Sequence, residues 1–358
     1  MSHSPTRLSG SVQTVADLGE RAAIDRIRAR VPVPPSWVSL GIGDDAAVVE
    51  PERNTLDVLT CDALVEHVHF DRAFVPPSAI GFKSLAVNLS DLAAMGATPR
   101  LALLSLNLPA GLLVSELDEL VEGVLEVARR HKVALVGGNI ARSPGPLVVD
   151  VTAVGAVRRR RVLCRSGARP GDAIFVSGEI GAALAGLESL RAAGSGADPT
   201  EAHGASSDPG AATGMAGCEQ RFLRPEPRVR LGQLLGRNRL ASACIDLSDG
   251  LADGLRQLAA SSGVGLQVDA RTVPIADGAR RWFAEQGTDP ELSAISGGED
   301  YELLFTIPPR RRRAFDRVRP LARNLPCTRI GRVTAAGELT LMREGGPEAL
   351  PPGFAHFR

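Results

Sequence analysis

Residues 79–95 read as a helix with almost no polar side, because Ile80, Phe82, Leu85, Val87, Leu89, Leu92 and Met95 are spread over most of its faces. A helix that is apolar all round must be buried, so the remaining chain has to be built around it. Ser78 is placed to cap it and Gly96 to stop it. Yet Ser84, Asn88 and Asp91 recur at i, i+4 and i+7 and form one polar stripe. A buried carboxylate is costly unless it is paired or bound to a metal. The stripe is therefore either an internal salt bridge or cap, or a line of groups facing a cation.

Other acidic or glycine-rich segments are strung along the chain: GIGDDAAVV (41–49), TCDALVEHVHF (60–70), VGGNIARSPGP (136–146), IDLSDGL (245–251) and SGGEDYELLF (296–305). Most carry carboxylates where a chain turns between elements. Hard cations such as Mg²⁺ take oxygen ligands, often one or two carboxylates plus substrate phosphates. The pattern points to a Mg²⁺-dependent enzyme acting on phosphorylated small molecules.

Each segment also has a structural reading. Gly41-x-Gly43-x-x-Ala46 has the form of a dinucleotide fingerprint, but a strand rather than a helix follows it. Asp44 and Asp45 lead into that strand, and Asp62 falls between two others. Asp246 and Asp249 flank Ser248 just before a helix, where one can cap while the other faces a cation. That helix start also favours bound phosphate. The glycines before Glu299 and Asp300 let the backbone approach a ligand, or simply turn. His67 and His69 form an HxH on a strand and share a face. No third ligand is placed for zinc, so His69 reads as a phosphate or substrate contact. P-loop, HRD/DFG and GxSxG motifs are missing.

The chain has 358 residues, which favours two domains. Lys plus Arg equals Asp plus Glu at 41 each, so no bulk charge draws it to nucleic acid or to an anionic membrane. The runs Arg158–Arg161 and Arg310–Arg313 read as solvated surface or linker. Cys61, Cys164, Cys218, Cys244 and Cys327 form no CxxC pair and are odd in number, as expected of reduced thiols in a cytoplasmic protein. There is no apolar run long enough to span a bilayer and no signal-peptide stretch at the N-terminus.

The expected class is α/β, of the α+β type. Residues 1–16 read as a disordered tail, and 17–160 as an N-terminal ATP- and Mg²⁺-binding domain. Residues 165–358 read as a C-terminal α/β domain, joined through the basic, turn-rich stretch 158–172. Helices are expected at 17–30, 79–95, 113–131, 181–193, 226–236, 249–262 and 309–324. Strands are expected at 45–50, 56–61, 63–70, 133–137, 147–157, 172–178, 243–247, 264–269 and 301–307. Residues 192–217 hold almost no large apolar side chains and read as a mobile insertion.

Taken in order, GDDAAV, TCDALVEHVHF, NLSDLAAMGA, IDLSDGL and SGGEDYEL resemble the motifs of the thiamine-monophosphate kinase family. That family belongs to the superfamily of aminoimidazole ribonucleotide synthetase and selenophosphate synthetase. The resemblance runs from about Gly19 to the C-terminal Gly353-Phe354-Ala355-His356-Phe357. It implies a two-domain synthetase-like fold whose N-terminal strands pair across a dimer axis. It implies a homodimer that transfers a phosphoryl group from ATP to thiamine monophosphate with Mg²⁺. By position, Asp45, Thr60, Asp62, Asp91, Asp246 and Asp249 match metal-binding sites, with Asp91, Asp246 and Asp249 central to catalysis. Gly138, Arg165 and Ser248 match nucleotide contacts, and His69, Glu299 and Phe354 match contacts to the thiamine phosphate. Two positions depart from the pattern. Asn139 stands where the family has a metal-ligand Asp, and His67 where a small residue is usual, which would crowd the channel beside His69. The alternatives are another ATP-dependent synthetase of the superfamily, or a binding paralogue disabled by Asn139.

Overall fold

The computed structural model describes residues 13–194, 214–335 and 337–353. In chain order the first half comprises α1 (Val15–Leu18), α2 (Glu20–Arg30), β1 (Val38–Leu40), β2 (Val48–Val49), β3 (Leu56–Val65), α3 (Pro77–Ala94), β4 (Thr98–Pro109), α4 (Val114–His131), β5 (Ala134–Ser143) and β6 (Val148–Val157). There follow β7 (Ala173–Ser177), α5 (Ala182–Gly194), α6 (Met215–Leu223), α7 (Val229–Arg237), β8 (Ala243–Asp246), α8 (Leu251–Ser262) and β9 (Gly265–Asp269). The chain continues through α9 (Asp277–Glu285), α10 (Pro290–Ser296), β10 (Leu303–Ile307), α11 (Arg312–Val318), β11 (Cys327–Thr334), β12 (Leu339–Arg343) and β13 (Gly346–Ala349).

α3 is the centre of the molecule, and nearly every residue from Ala79 to Ala94 is buried. It begins at Pro77 with Pro76 as its N-cap, so Ser78 is not the cap. A proline at the start has no N–H to leave unsatisfied, and its fixed φ suits the first turn. Gly96, with φ 69, follows its end. One side of α3 lies on α4 and another on β3, β6 and β4. A third side meets α6, α7 and β8 from the second half of the chain.

Two large sheets flank this helix. The order β3-β6-β4-β5 makes a four-stranded sheet in which only β4 and β5 run parallel. The order β13-β12-β9-β11-β7-β10-β8 makes a seven-stranded sheet, parallel only at β12 and β9. These mixed sheets with helices packed against them are the α/β arrangement expected. One apolar core runs through both halves, from Leu85, Leu89 and Leu104 to Phe175, Phe305 and Phe315. A second lies between the seven-stranded sheet and α8 and α9.

Several expectations shift. The helix expected at 17–30 is two helices, parted at Gly19 with φ 78. The Thr14 hydroxyl and Asp17 carboxylate cap the first, so part of the expected tail is ordered, while residues 1–12 lie outside the described residues. The strand expected at 45–50 is only Val48–Val49. Those expected at 56–61 and 63–70 are one strand that ends at Val65. The helix expected at 309–324 is regular only over Arg312–Val318, with 3₁₀ turns on either side. β1, β4, the outer half of β5, α6, α9, α10 and β11–β13 have no counterpart among the expected elements. Within the expected insertion 192–217, residues 195–213 lie outside the described residues, and α6 begins at Met215. Among the described residues no helix is long and apolar enough to cross a membrane.

Candidate active site

A cavity of about 360 Å³ opens where β3, α3, the end of β8 and the turn before β10 meet. Asp62, Asp91, Asp246, Asp249 and Glu299 stand in its wall, with His69, Ser248 and Tyr301. Strand periodicity places Thr60, Asp62 and Leu64 on the more buried face of β3, while Leu59, Cys61 and Ala63 face outward. Asp91 lies in the last turn of α3, and its Oδ2 accepts a hydrogen bond from Thr60 Oγ1. Asp246 ends β8, where its Oδ2 accepts from Ser90 Oγ at 2.8 Å. Ser248 and Asp249 occupy the turn before α8, whose N-cap is Gly250 with no side-chain cap.

The segment 297–302 is wedged against that turn. Glu299 N donates to Ser248 O at 2.6 Å and Tyr301 N to Leu247 O at 3.0 Å. Both residues are left-handed, with φ 67 and φ 50, conformations that cost energy outside glycine and collect at functional sites. A Cβ on Gly298 would fall 2.7 Å from Ser248 O. This glycine therefore serves contact between two protein backbones rather than approach to a ligand. The side chains then alternate. Glu299 and Tyr301 line the cavity. Asp300 turns inward and accepts from Gly181 N at 2.8 Å and Ala183 N at 3.2 Å, at the start of α5. Glu302 is buried against Arg221 and Arg228.

The cavity's negative charge is poorly balanced. Burial, then the charges of Asp91, Asp150 and Asp249, pushes Asp62 up to about 7. Burial and Asp91 push Asp246 up to about 7, against the opposing pull of Ser90 and Arg165. Among the described residues no three acidic, histidine or cysteine side chains are close enough together to hold one metal ion. Oxygen donors with uncompensated charge suit Mg²⁺ of the kind that keeps waters and takes substrate phosphates as further ligands. Asp62, Asp91, Asp246 and Asp249 are the carboxylates from which one or two could hold such an ion.

A pH dependence follows. Asp62 and Asp246 rise from an ordinary 3.8 to about 7 on folding. They bind protons more tightly in the folded state, so their contribution to stability is complete below about 4 and lost as pH climbs through about 7. Without Mg²⁺, the melting temperature is expected to fall between pH 5 and pH 8. Buried Asp300, also raised to about 7, adds to the fall. Mg²⁺ should reduce the drop by favouring the ionised carboxylates. Melting curves at both pH values, with and without Mg²⁺, check this; a drop that Mg²⁺ leaves untouched would detach it from the acidic cavity.

Other sequence expectations fare differently. Of the polar stripe on α3, only Asp91 faces the cavity. Ser84 Oγ donates to Gly81 O and Asn88 Nδ2 to Ser84 O, each at 2.9 Å, so both bond back to their own helix. His67 and His69 lie on a turn rather than a strand. His69 Nδ1 accepts from Val65 N at 3.1 Å and the residue lines the cavity. His67, with φ 68, is exposed beside Asp71 and does not crowd the channel. Asp45 sits in an exposed bend, away from the cavity wall. Gly138 and Asn139 lie on β5, also outside it. A Cβ at Gly138 would meet Leu104 O at 1.8 Å, so packing alone requires glycine there. Arg165 donates from a terminal nitrogen to Gln257 Oε1 at 2.6 Å and reaches the site only through its charge on Asp246. Phe354 lies outside the described residues.

The sequence reading missed Lys83, which meets Glu299 from behind, and Arg191, which lines the cavity from α5. A lone lysine in an otherwise apolar helix was the available signal for the first. It also missed a neighbouring chamber of about 660 Å³ that shares Leu184 and Gly298 with the acidic cavity and is walled by Trp282 and Phe283. Trp282 Nε1 donates to Glu188 Oε2 at 2.7 Å.

Comparison with known proteins places the chain in a family. Residues 43–157 match the family model "AIR synthase related protein, N-terminal domain", and 169–344 match its C-terminal counterpart. The thiamine-monophosphate kinase of Escherichia coli is 39% identical over 347 residues, covering 95% of this chain and 98% of that protein. The crystal structure of thiamine-monophosphate kinase from Stenotrophomonas maltophilia superposes with a TM-score of 0.77 at 38% identity, covering 91% of this chain and 97% of that one. A structure described as AaThiL complexed with AMPPCP and TMP gives 0.72 at 35% identity, covering 95% and 98%. Identity of this extent, over almost the whole of both chains, shows that this protein belongs to the thiamine-monophosphate kinase family.

Proposed function

We propose that this chain transfers the γ-phosphoryl group of ATP to the phosphate of thiamine monophosphate, giving thiamine diphosphate and ADP. The observation that carries the reading is the cavity walled by Asp62, Asp91, Asp246 and Asp249, where burial and the neighbouring carboxylates push Asp62 and Asp246 up to about 7. An acceptor oxygen of the monophosphate attacks Pγ as the bond from Pγ to the β–γ bridging oxygen of ATP breaks. A phosphomonoester has a second pKa of about 6 and is largely dianionic at neutral pH, so no general base is needed. The difficulty is bringing two polyanions together. Bound Mg²⁺ supplies screening of that repulsion and an in-line geometry. Thr60 and Ser90 orient Asp91 and Asp246 by donating to their carboxylates. In neutral His69, Nδ1 is an acceptor, so the proton is on Nε2, which can donate to a phosphate oxygen. Arg191 brings a cation to the same wall. Glu299 suits the cationic ring of the substrate. Ser248, Gly138 and Arg165 are retained as nucleotide contacts on the strength of the resemblance, and Phe354 as a substrate contact.

The test is to incubate purified protein with ATP, Mg²⁺ and thiamine monophosphate and to separate the products by chromatography. Thiamine diphosphate that needs both ATP and Mg²⁺ is expected; its absence would overturn the reading.

We also propose a homodimer joined through the open face of the four-stranded sheet, and a cytoplasmic location. Leu59 is 69% and Leu103 38% exposed, a costly face for a monomer. Asn139 pairs with Ser105, two residues along β4 from Leu103. Sedimentation velocity decides the oligomeric state. The division into 17–160 and 165–358 stands as a proposal, supported by the two sheets and by where the two family models match. At Asn139, substitution by aspartate is expected to lower the Mg²⁺ concentration for half-maximal activity several-fold, since a carboxylate adds a full charge to an oxygen ligand. An unchanged Mg²⁺ titration would mean that position 139 is not a ligand.

A further inference from the structure

Lys83 is an anomaly in α3. Its side chain is 3% exposed in a helix otherwise almost wholly apolar. Val87 and Asp91, about one and two turns further on, both line the acidic cavity. The ammonium does not reach that cavity wall itself. Nζ lies 2.6 Å from Glu299 Oε1 and 3.9 Å from the centroid of the Phe222 ring on α6. The contact with Glu299 is close but off the hydrogen-bonding direction, so Nζ has no partner at hydrogen-bond angles among the described residues. A buried ammonium so poorly satisfied is costly unless its charge is used. Among the described residues its ion-pair partner is the cavity carboxylate held on a left-handed backbone and bonded to the Ser248 turn.

We propose that Lys83 is a positioning residue: it fixes the Glu299 carboxylate on the cavity wall and so sets the contact that carboxylate makes with the cationic ring of the substrate. Without the ammonium, Glu299 would face Asp246 and Asp249 across the same cavity with no ion-pair partner among the described residues. It would then be free to turn toward solvent and would stop presenting a fixed negative charge. The effect should fall on substrate binding rather than on ATP, since the phosphoryl-transfer carboxylates are untouched. This inference rests on the proposed reaction for its kinetic readout, but not for its structural one.

Two measurements on the intact chain test it. In the metal-free protein, hydrogen exchange across 297–301 is expected to quicken about tenfold in Lys83→Met, with α4 unchanged. Glu299→Gln, which leaves Lys83 in place, should reproduce that change and covers the case in which Lys83→Met fails to fold. In steady-state kinetics, Lys83→Met is expected to raise KM for thiamine monophosphate about tenfold while KM for ATP stays within twofold. In a Glu299→Gln background the same substitution should add less than twofold, because its effect runs through that carboxylate. Unchanged exchange at 297–301, or a penalty of equal size in both backgrounds, would overturn the proposal. Wild-type protein that makes no thiamine diphosphate would sink the proposed reaction instead, and the exchange result would still decide the role of Lys83.

Discussion

Replacing Asp91 by asparagine is expected to cut turnover at least ~10³-fold, the several kcal/mol that a metal-screened phosphoryl transfer draws from its ligands, while making the metal-free protein more stable. Asp91 sits between the two sheets' contributions to the site. Thr60 from β3 donates to it, and its charge helps raise both Asp62 and Asp246. Asparagine keeps an oxygen for the Thr60 hydroxyl and removes the charge. The two neighbours then move back toward ordinary carboxylate values, and the repulsion stored in the folded state is relieved. A gain of about 1 kcal/mol shifts the melting temperature of a chain this long by about 1–2 °C. The gain should be present at pH 8 and small at pH 5, where Asp62 and Asp246 are already protonated. Near-normal kinetics across Mg²⁺ concentrations would remove Asp91 from the reaction. An unchanged melting temperature at pH 8 would mean that the carboxylates do not oppose one another.

The second large effect lies behind the cavity. Glu302→Ala is expected to cost about 3–5 kcal/mol of stability, the range for breaking a buried ion pair from one side. Glu302 is fully buried, and its carboxylate accepts from Ser177 Oγ at 2.6 Å, from Arg228 Nε at 2.7 Å and from Arg221. Burial alone would raise its pKa, but Arg228 and Arg221 outweigh burial and hold it below the ordinary 4.5. That stability is present above about 4.5 and is lost as pH falls through the lower folded value. Alanine strands both guanidinium groups where α6 and α7 meet β7 and β10. Urea unfolding monitored by circular dichroism reads the loss as a lower midpoint at constant slope. A change under 1 kcal/mol would show that water replaces the carboxylate.

The acidic part of the site was legible because carboxylates at turns are conspicuous, and the cavity gathers Asp62, Asp91, Asp246, Asp249, Ser248, His69 and Glu299. What escaped was hidden by tertiary context. A serine or asparagine in a buried helix can donate to the carbonyl one turn back, as Ser84 and Asn88 do, and nothing in their spacing separates that from facing a cation. Lys83 passed unnoticed because a lysine is ordinarily assigned to the surface, its stem lying along apolar groups and its head in water. β4 was lost between two prolines, Pro99 and Pro109, and its register slips between Pro99 and Leu101. The strand expected at 63–70 failed because Val65, Val68 and Phe70 only roughly keep a strand pattern, through a stretch where the backbone turns at His67, φ 68. Aromatic walls such as Trp282 come from segments distant in sequence and carry no local signature.

The sharing of α3 between both halves limits how this chain can be recombined. A chimera crossed over in 158–172 would pair an α3 from one parent with α6 and α7 from another, and so mismatch a helix that is buried along nearly its whole length. Such hybrids are expected to be insoluble unless Phe82, Lys83 and Phe222 travel together, because Lys83 and Phe222 touch directly and Phe82 receives Arg224 from the far half over its ring. A solubility screen of crossovers with and without matched residues at those positions would read this inheritance constraint directly.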